Sequence, residues 1–423
     1  MLDYFKKKRF ENDLQHDSQD ELIGADEGEL SAEPFKFDLF SHKHVNPNIA
    51  VIGDTDKTHF LQKLINEEVD SATSLVFVDT YRAATYEEFS LFYEGGATIE
   101  NATSFTVNPF DSVSNFESSV KNVSMFLASF SRSLDIKWTQ KHTAYCETMI
   151  LQTITTVKER QNTIPTLSDL FNVYLEYQHQ VNVELNNTLS TNNVSICQIL
   201  VPSKRTIGEY ANISAELRNE LRNALLVSDI GEVLKLFIGG SSLLKKTFNG
   251  HTNLPTLETA LTIINVETIT KTFRGAYVAL ATNFYEQQQR NMVNPYQEGV
   301  VSNRPLRKLA LYYDIQEFIY EDDLFLYHIE QSLRKGRTVN LSIRLSPPIQ
   351  FLEESFGRQK HMLENCANIY IQRLPNSLKE TIDLHFDLPE NITFDIFNLL
   401  AQGEGYLLQG NKTTALNAEL MLC

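Results

Sequence analysis

The sequence predicts an α/β protein in which a mostly parallel sheet is flanked by helices and interrupted by a block of helices. Ile49-Ala-Val-Ile52 forms a short apolar strand, a helix follows over Phe60–Ile65, and Ser74–Asp79 forms the next strand. This spacing is typical of a parallel β-α-β unit. From about residue 115 to residue 246 the apolar residues recur at helical spacing, and strand patterns return afterwards. The three observations together predict the sheet and the helical insertion.

The remaining elements are predicted from local pattern. Short alternating or apolar runs predict further strands at Pro34–Phe40, Gly95–Glu100, Thr106–Asp111, Thr262–Val266, Lys308–Asp314, Thr338–Arg344 and Asn368–Gln372. Helical periodicity predicts helices over Thr272–Arg290 and Leu324–Lys335, and the stretch Val181–Asn193, rich in Asn and Thr, is predicted to be a loop. Gly405–Gly410 and Ala415–Met421 are predicted to close the fold as a hairpin.

These elements predict a division of the chain into three parts. Residues 1–33 are polar and acidic and are predicted to be a disordered tail. Residues 34–114 and 247–423 together form the α/β domain, and residues 115–246 form a helical insertion.

The amino-acid composition limits the classes of function that the chain is expected to have. The chain has 423 residues, 42% of them hydrophobic and 22% charged, which is typical of a soluble globular protein. Its net charge of -17 weighs against direct binding to nucleic acid, which needs clustered Lys and Arg. We find no apolar run long enough to span a bilayer and no signal peptide. The four cysteines are far apart, which predicts reduced thiols in a cytoplasmic protein and no zinc site.

The segment between the first strand and its helix has part of the pattern of a phosphate-binding loop. The full pattern is G-x-x-x-x-G-K-[ST], in which backbone N–H groups surround the phosphates and Lys reaches the outer ones. Gly53, Thr55, Lys57 and Thr58 are the candidate nucleotide-binding residues. The glycine before Lys57 is replaced by Asp56, and the spacing from Gly53 is too short. The alternative is an ordinary helix N-terminus, capped by Thr55 or Asp56, with Lys57 in solvent.

Several short motifs occur in an order that resembles a known family. They are Asn108-Pro-Phe-Asp111, Phe248-Asn-Gly-His-Thr-Asn253 and Gly403-Glu-Gly-Tyr-Leu-Leu408. From about Pro34 onward the chain resembles the ATPase domain of conjugation and type IV secretion ATPases of the TraC/TrsE type (VirB-four-like), a branch of the hexameric RecA-like P-loop motors. The resemblance implies a RecA-like fold, ATP or ADP with Mg²⁺ as ligand, a homo- or hetero-hexamer, and partners among the subunits of a transfer apparatus.

The chain departs from this family where catalysis would occur. In the family, the second nucleotide motif ends in Asp-Glu, and these residues hold Mg²⁺ and activate the attacking water. Here Asp314 is followed by Ile315, and Glu317 is the nearest carboxylate after it. The resemblance makes Asp314 a candidate metal ligand and makes Asp314 and Glu317 candidate catalytic residues. Asp314 has the alternative of a strand-end carboxylate that caps a helix. The family's Thr-Gln sensor of the γ-phosphate is replaced by Arg344-Leu-Ser-Pro-Pro348.

The loss of these motif residues indicates a catalytically impaired relative of a conjugation ATPase. Its expected role is structural or regulatory, in the cytoplasm or at the inner face of the cell membrane through the complex. The altered loop leaves open whether any nucleotide binds. Two alternatives remain open: a divergent active ATPase that uses Lys57 and Glu317, and a nucleic-acid-binding adaptor, against which the net charge weighs.

Overall fold

The computed structural model describes most of the chain after residue 46. The described residues are 47–53, 57–70, 72–93, 96–111, 116–161, 163–191, 215–239, 242–293, 308–315, 322–348, 362–386, 388–398, 400, 404–409 and 412–417. The predicted tail at residues 1–33 and the predicted strand Pro34–Phe40 lie outside these residues. Within the described part, no helix combines the length and the apolar character that crossing a bilayer requires.

A mostly parallel sheet forms the centre of the fold. The described strands are β1 (Ile49–Ile52), β2 (Ala72–Val78), β3 (Ala97–Asn101), β4 (Leu261–Asn265), β5 (Lys308–Asp314), β6 (Leu341–Leu345), β7 (Asn368–Gln372), β8 (Glu404–Gln409) and β9 (Lys412–Asn417). They lie in the order β3-β4-β2-β5-β6-β1-β7-β8-β9. Only β8 pairs antiparallel with its two neighbours, and the β8–β9 pair is the predicted closing hairpin. The α/β fold class is confirmed.

Helices cover both faces of the sheet. They are α1 (Thr58–Glu68), α2 (Thr80–Phe92), α3 (Phe116–Ser131), α4 (Gln140–Gln161), α5 (Leu167–Thr191), α6 (Ala215–Ile238), α7 (Leu243–Phe248), α8 (Lys271–Val293), α9 (Asp323–Lys335), α10 (Lys379–His385) and α11 (Glu390–Asn398). On one face, α1 and α2 pack on side chains such as Val51 and Val76. On the other face, α3 to α9 pack on alternating residues such as Leu75 and Leu311. Period-two alternation along buried strands produces these two cores.

The helices between β3 and β4 share a core with the sheet. Phe126, Phe130, Phe237 and Phe248 pack ring against ring, and the centroids of Phe126 and Phe237 are 5.2 Å apart. Phe130 also stacks on Phe273 of α8, at 4.8 Å between centroids. The buried side chains of these helices therefore form one cluster with those of one sheet face. The division into an α/β domain and an insertion at residues 115–246 stays a prediction.

The chain enters and leaves this helical block through two segments that contact each other. The Asn108 backbone N–H donates to Thr252 Oγ1 (2.9 Å), and the Thr252 N–H donates to Asp111 Oδ2 (2.9 Å). The Thr106 N–H donates to Asn253 Oδ1 (2.6 Å). Two of the motifs that carry the family resemblance, Asn108–Asp111 and Phe248–Asn253, thus hold the block's two ends side by side.

Two local predictions are wrong. Val181–Asn193 is not a loop over its described part, because α5 continues to Thr191 and buries Val181 and Leu189. Tertiary packing there outweighs the low helix propensity of Asn and Thr. Thr106–Asp111 is not a strand. Its Asn108 side chain accepts from the Phe110 N–H (3.1 Å) and donates to Pro165 O (2.7 Å), which stabilises a turn.

Candidate nucleotide site

The candidate site lies where the central parallel strands end. Because β1, β2, β5 and β6 run in the same direction, their carboxyl ends meet at one edge of the sheet, where α/β proteins bind ligands. Val78 at the end of β2 pairs with Asp314 at the end of β5. The segment after β1 leads into α1 at the same edge, so the fold brings Lys57 and Thr58 to Asp314.

Lys57, Thr58 and Asp314 are all buried at this edge. Their exposed fractions are 3%, 0% and 0%. The Thr58 hydroxyl donates to Asp314 Oδ2 (2.9 Å), and Lys57 Nζ donates to the carbonyl oxygen of Pro347 (2.5 Å). Pro347 follows β6, in the segment that replaces the family's sensor. The alternative in which Lys57 lies in solvent is wrong, because the helix N-terminus is covered by this segment.

A second cation lies on the other side of Asp314. The Arg82 guanidinium, in the first turn of α2, forms a buried ion pair with Asp314 Oδ1. The Arg82 and Ala83 N–H groups donate to the carbonyl oxygen of Asp79, the residue directly after β2 (3.2 and 3.1 Å). The start of α2 is thereby fixed directly after the strand that lies beside β5, and Arg82 reaches Asp314 from there.

Tyr86 lies one turn further along α2 and is fully buried close to the same carboxylate. Burial raises the pKa of its phenol well above the usual value, and the negative charge of Asp314 adds to this effect. The phenol therefore stays neutral at any physiological pH. Lys57, Arg82, Asp79 and Asp314, all less than a tenth exposed, bring two positive and two negative charges to this edge. The charges of these four side chains sum to zero, so together they provide no net positive charge to attract a polyphosphate.

Gly53 has a packing role that is separate from phosphate binding. It directly follows β1 and lies beside Gln372, the last residue of β7, and a Cβ at Gly53 would lie 2.8 Å from both Cβ and Oε1 of Gln372. A side chain at position 53 would therefore collide with its neighbour. The glycine at position 53 is explained here by the close approach of the adjacent strand β7.

A buried ion pair fixes the far end of α1. Arg344 of β6 and Glu68, the last residue of α1, are 0% and 1% exposed in their side chains, and their charged atoms are 2.6 Å apart. The Tyr312 hydroxyl donates to the other Glu68 oxygen (2.8 Å), and Arg344 donates to the carbonyl oxygen of Pro47 (2.5 Å). The pair therefore joins α1, β5, β6 and Pro47, which lies two residues before β1.

Two candidate residues from the sequence, Thr55 and Glu317, lie outside the described residues, as do Asp54 and Asp56. Among the described candidates, the fold brings Lys57, Thr58 and Asp314 together and places Gly53 directly after β1. Sequence reasoning missed Arg82, Pro347 and Gln372. Arg82 follows Asp79 by three residues in the strand-to-helix turn, but only the strand order shows that this turn lies beside Asp314.

The Mg²⁺ that the resemblance implies meets an unfavourable set of groups. Thr58 and Asp314 offer hydroxyl and carboxylate oxygens, which are ligands that Mg²⁺ accepts. Arg82 already pairs with Asp314, however, and guanidinium remains charged at all accessible pH values. The residues around Asp314 therefore do not fit a divalent cation, although the oxygen types do. Within the described part of the chain, no cluster of three or more His, Cys, Asp or Glu side chains is arranged to hold a metal.

The strand order and the position of α1 after β1 define the class of fold, which is that of the RecA-like P-loop NTPases. VirB4 of Thermoanaerobacter pseudethanolicus shares it with a TM-score of 0.61 and 15% sequence identity, over 90% of this chain and 92% of that chain. The plasmid coupling protein TrwB, solved with the non-hydrolysable ATP analogue ADPNP, aligns with a TM-score of 0.50 and 12% identity, over 88% of this chain and 85% of that chain.

Comparison of the sequence itself gives no match. No protein-family model matches the chain. No curated protein matches it either. The predicted resemblance to conjugation and type IV secretion ATPases is confirmed by the structural neighbours, and at these identities it establishes the fold.

Proposed function

We propose that this chain is a component of a conjugation or type IV secretion apparatus that acts as a structural or regulatory subunit and does not hydrolyse ATP. Its partners are other subunits of the apparatus, in a homo- or hetero-hexameric ring, and it works in the cytoplasm or at the inner face of the membrane through that complex. The likeness of its fold to VirB4 over 90% of the chain supports the assignment to this class of machine.

The absence of hydrolysis rests on one observation at the end of β5. Asp314 is followed by Ile315, which is 1% exposed and belongs to the hydrophobic core that α3 to α9 form on the sheet. The family that the sequence resembles has its water-activating Glu at this position. A buried isoleucine can neither accept a proton nor orient a water molecule. Ground-state binding can survive such a change, whereas phosphoryl transfer needs the nucleophile, its base and charge stabilisation together.

A phosphate-release assay on the purified full-length chain tests this proposal. We expect the wild-type chain with ATP and Mg²⁺ to release no more phosphate than the Lys57→Ala variant, which serves as the matched control. Turnover in the wild type that is lost in Lys57→Ala and Thr58→Ala would overturn the proposal. Calorimetry with ATP then distinguishes a subunit that responds to nucleotide from one that is purely architectural.

A transfer assay in the host that encodes the chain tests its place in the machine. Deletion is expected to lower transfer, and complementation with Lys57→Ala is expected to restore it as well as the wild-type chain does. Restoration by the wild type alone would show that the loop residue is required. An unchanged transfer frequency after deletion would contradict a role in that apparatus.

The second candidate is a divergent active ATPase, and one contact favours it. Thr58 and Asp314 remain within hydrogen-bond distance (2.9 Å), which is the arrangement that a working loop and strand end would need. In this alternative Glu317 acts as the base. It predicts ATP turnover in the wild type that falls in both Lys57→Ala and Glu317→Gln, so the same assay separates the two candidates.

A further inference from the structure

The charge on Asp314 is balanced within the protein. Asp314 is fully buried, and a carboxylate in that environment is unstable unless a cation or hydrogen-bond donors compensate it. The Arg82 guanidinium pairs with one carboxylate oxygen, and the Thr58 hydroxyl donates to the other. In nucleotide sites of this fold, the compensating cation would be a divalent metal bound together with the phosphates.

The position of Arg82 is set by the backbone as well as by its charge. It lies in the first turn of α2, which the carbonyl oxygen of Asp79 fixes directly after β2. β2 and β5 are adjacent and in register, with Val78 opposite Asp314. Arg82 is 6% exposed and Tyr86, one turn later, is 0% exposed. The guanidinium is therefore held in a closed, packed position and is not a long side chain at the surface that has folded onto a nearby acid.

We propose that Arg82 takes the place of the divalent cation at Asp314, so that this site does not bind Mg²⁺ and any nucleotide that binds there does so without it. The inference rests on the proposed function, since a site without a metal suits a subunit without hydrolysis. A guanidinium differs from Mg²⁺ in that it cannot leave with the product and cannot be removed by a chelator. The charge balance at Asp314 then does not depend on the Mg²⁺ concentration.

Properties of Mg²⁺ and of the Arg82–Asp314 pair make Mg²⁺ binding unfavourable. Mg²⁺ requires near-octahedral oxygen ligands and loses its water reluctantly. The carboxylate that would provide the anionic ligand is already in an ion pair, and guanidinium, unlike an ammonium group, cannot be neutralised by deprotonation. A second cation at the same buried carboxylate would be repelled by the first, because repulsion between charges is strong where water is excluded.

Manganese binding followed by electron paramagnetic resonance tests the proposal on the full-length chain, with Mn²⁺ as the probe. The variants are Arg82→Met, Asp314→Asn and the double variant Arg82→Met/Asp314→Asn, which has the same net charge as the wild type. We expect the wild type and Asp314→Asn to bind Mn²⁺ equally, through surface acids alone. Arg82→Met should gain one additional site, bound about tenfold or more tightly than the surface sites. The double variant should lack that site.

Two results would overturn the proposal in this assay. The first is a wild-type Mn²⁺ site that disappears in Asp314→Asn. The second is an Arg82→Met variant that folds, as judged by circular dichroism, and gains no site. Arg82→Lys retains a positive charge that an ammonium group can lose by deprotonation, so we expect it to bind Mn²⁺ at Asp314 more weakly than Arg82→Met does.

A measurement on the wild type keeps the proposal testable if Arg82→Met does not fold. Binding of a fluorescent ADP analogue is compared in excess Mg²⁺ and in chelator. We expect the two conditions to give the same result, whether that result is binding or its absence. A gain of about tenfold or more in affinity with Mg²⁺ that is lost in Asp314→Asn would refute the proposal.

The two proposals fail in different ways. Mg²⁺-dependent nucleotide binding without phosphate release would refute the role of Arg82 and leave the structural or regulatory function standing. Phosphate release that continues in chelator and is lost in Lys57→Ala would refute the proposed function and leave the role of Arg82 standing.

Discussion

The buried ion pair between Glu68 and Arg344 provides a quantitative test of how α1 is attached to the sheet. Both side chains are almost completely excluded from solvent, and their charged atoms are 2.6 Å apart. Glu68→Gln keeps the shape of the side chain and removes its charge, which leaves the Arg344 guanidinium buried without a carboxylate. Breaking a buried pair by removing one partner costs about 3–5 kcal/mol. We expect this loss in the free energy of unfolding of Glu68→Gln.

The expected change is large enough to measure in urea. With an m value of about 3 kcal/mol/M, a loss of about 4 kcal/mol lowers the urea midpoint by about 1.3 M. Circular dichroism follows the helices, and Tyr312 fluorescence is avoided as a probe because its hydroxyl contacts Glu68. The m value should remain unchanged, since the substitution alters stability and leaves the buried area as it was.

The double variant Glu68→Gln/Arg344→Met completes the cycle. Arg344→Met leaves the Glu68 carboxylate buried without its cation, so it should also cost about 3–5 kcal/mol. The double variant removes both charges. We expect its loss in the free energy of unfolding to be smaller than the sum of the two single losses by about 2 kcal/mol or more. Single losses below about 1 kcal/mol, or losses that simply add, would refute the reasoning that the two charges compensate each other in a dry environment.

Two further predictions concern buried titratable groups. Burial lowers the pKa of His328 in α9 to about 4, so its neutral form contributes stability that is fully present above pH 6.5 and lost as the pH falls toward 4. In urea titrations over this pH range, the free energy of unfolding of the wild type should fall by about 3 kcal/mol more than that of His328→Leu. An equal dependence of the two free energies on pH would contradict the assignment. Burial also raises the pKa of Cys146 and Cys366 to about 12, so a fraction of about 10⁻⁴ of each thiol is ionised at pH 8. Iodoacetamide at pH 8 should leave both unmodified in the native chain and modify both in urea, as read by peptide mass spectrometry; native modification would show that the two sites open readily.

The local sequence pattern was sufficient to predict most strands and several helices. The predicted bounds of β1, β5 and β7 agree with the structure to the residue, because short runs of apolar and β-branched residues bounded by polar ones match buried strands. The strand Ser74–Asp79 and the helix Leu324–Lys335 agree to within two residues at each end. The turn at Thr106–Asp111 was missed because its structure depends on side-chain contacts with Pro165 and Thr252, which lie far along the chain.

The sequence by itself determined the α/β class, the resemblance to conjugation ATPases and the loss of the glutamate after Asp314. These are properties of residue type and order, which local patterns record. The tertiary structure decided which charges meet: it placed Lys57 against Pro347, Arg82 against Asp314 and Glu68 against Arg344. Each of these contacts joins residues more than two hundred positions apart. Their energies come from burial and from strand adjacency, and neither can be inferred from the spacing of residues along the chain.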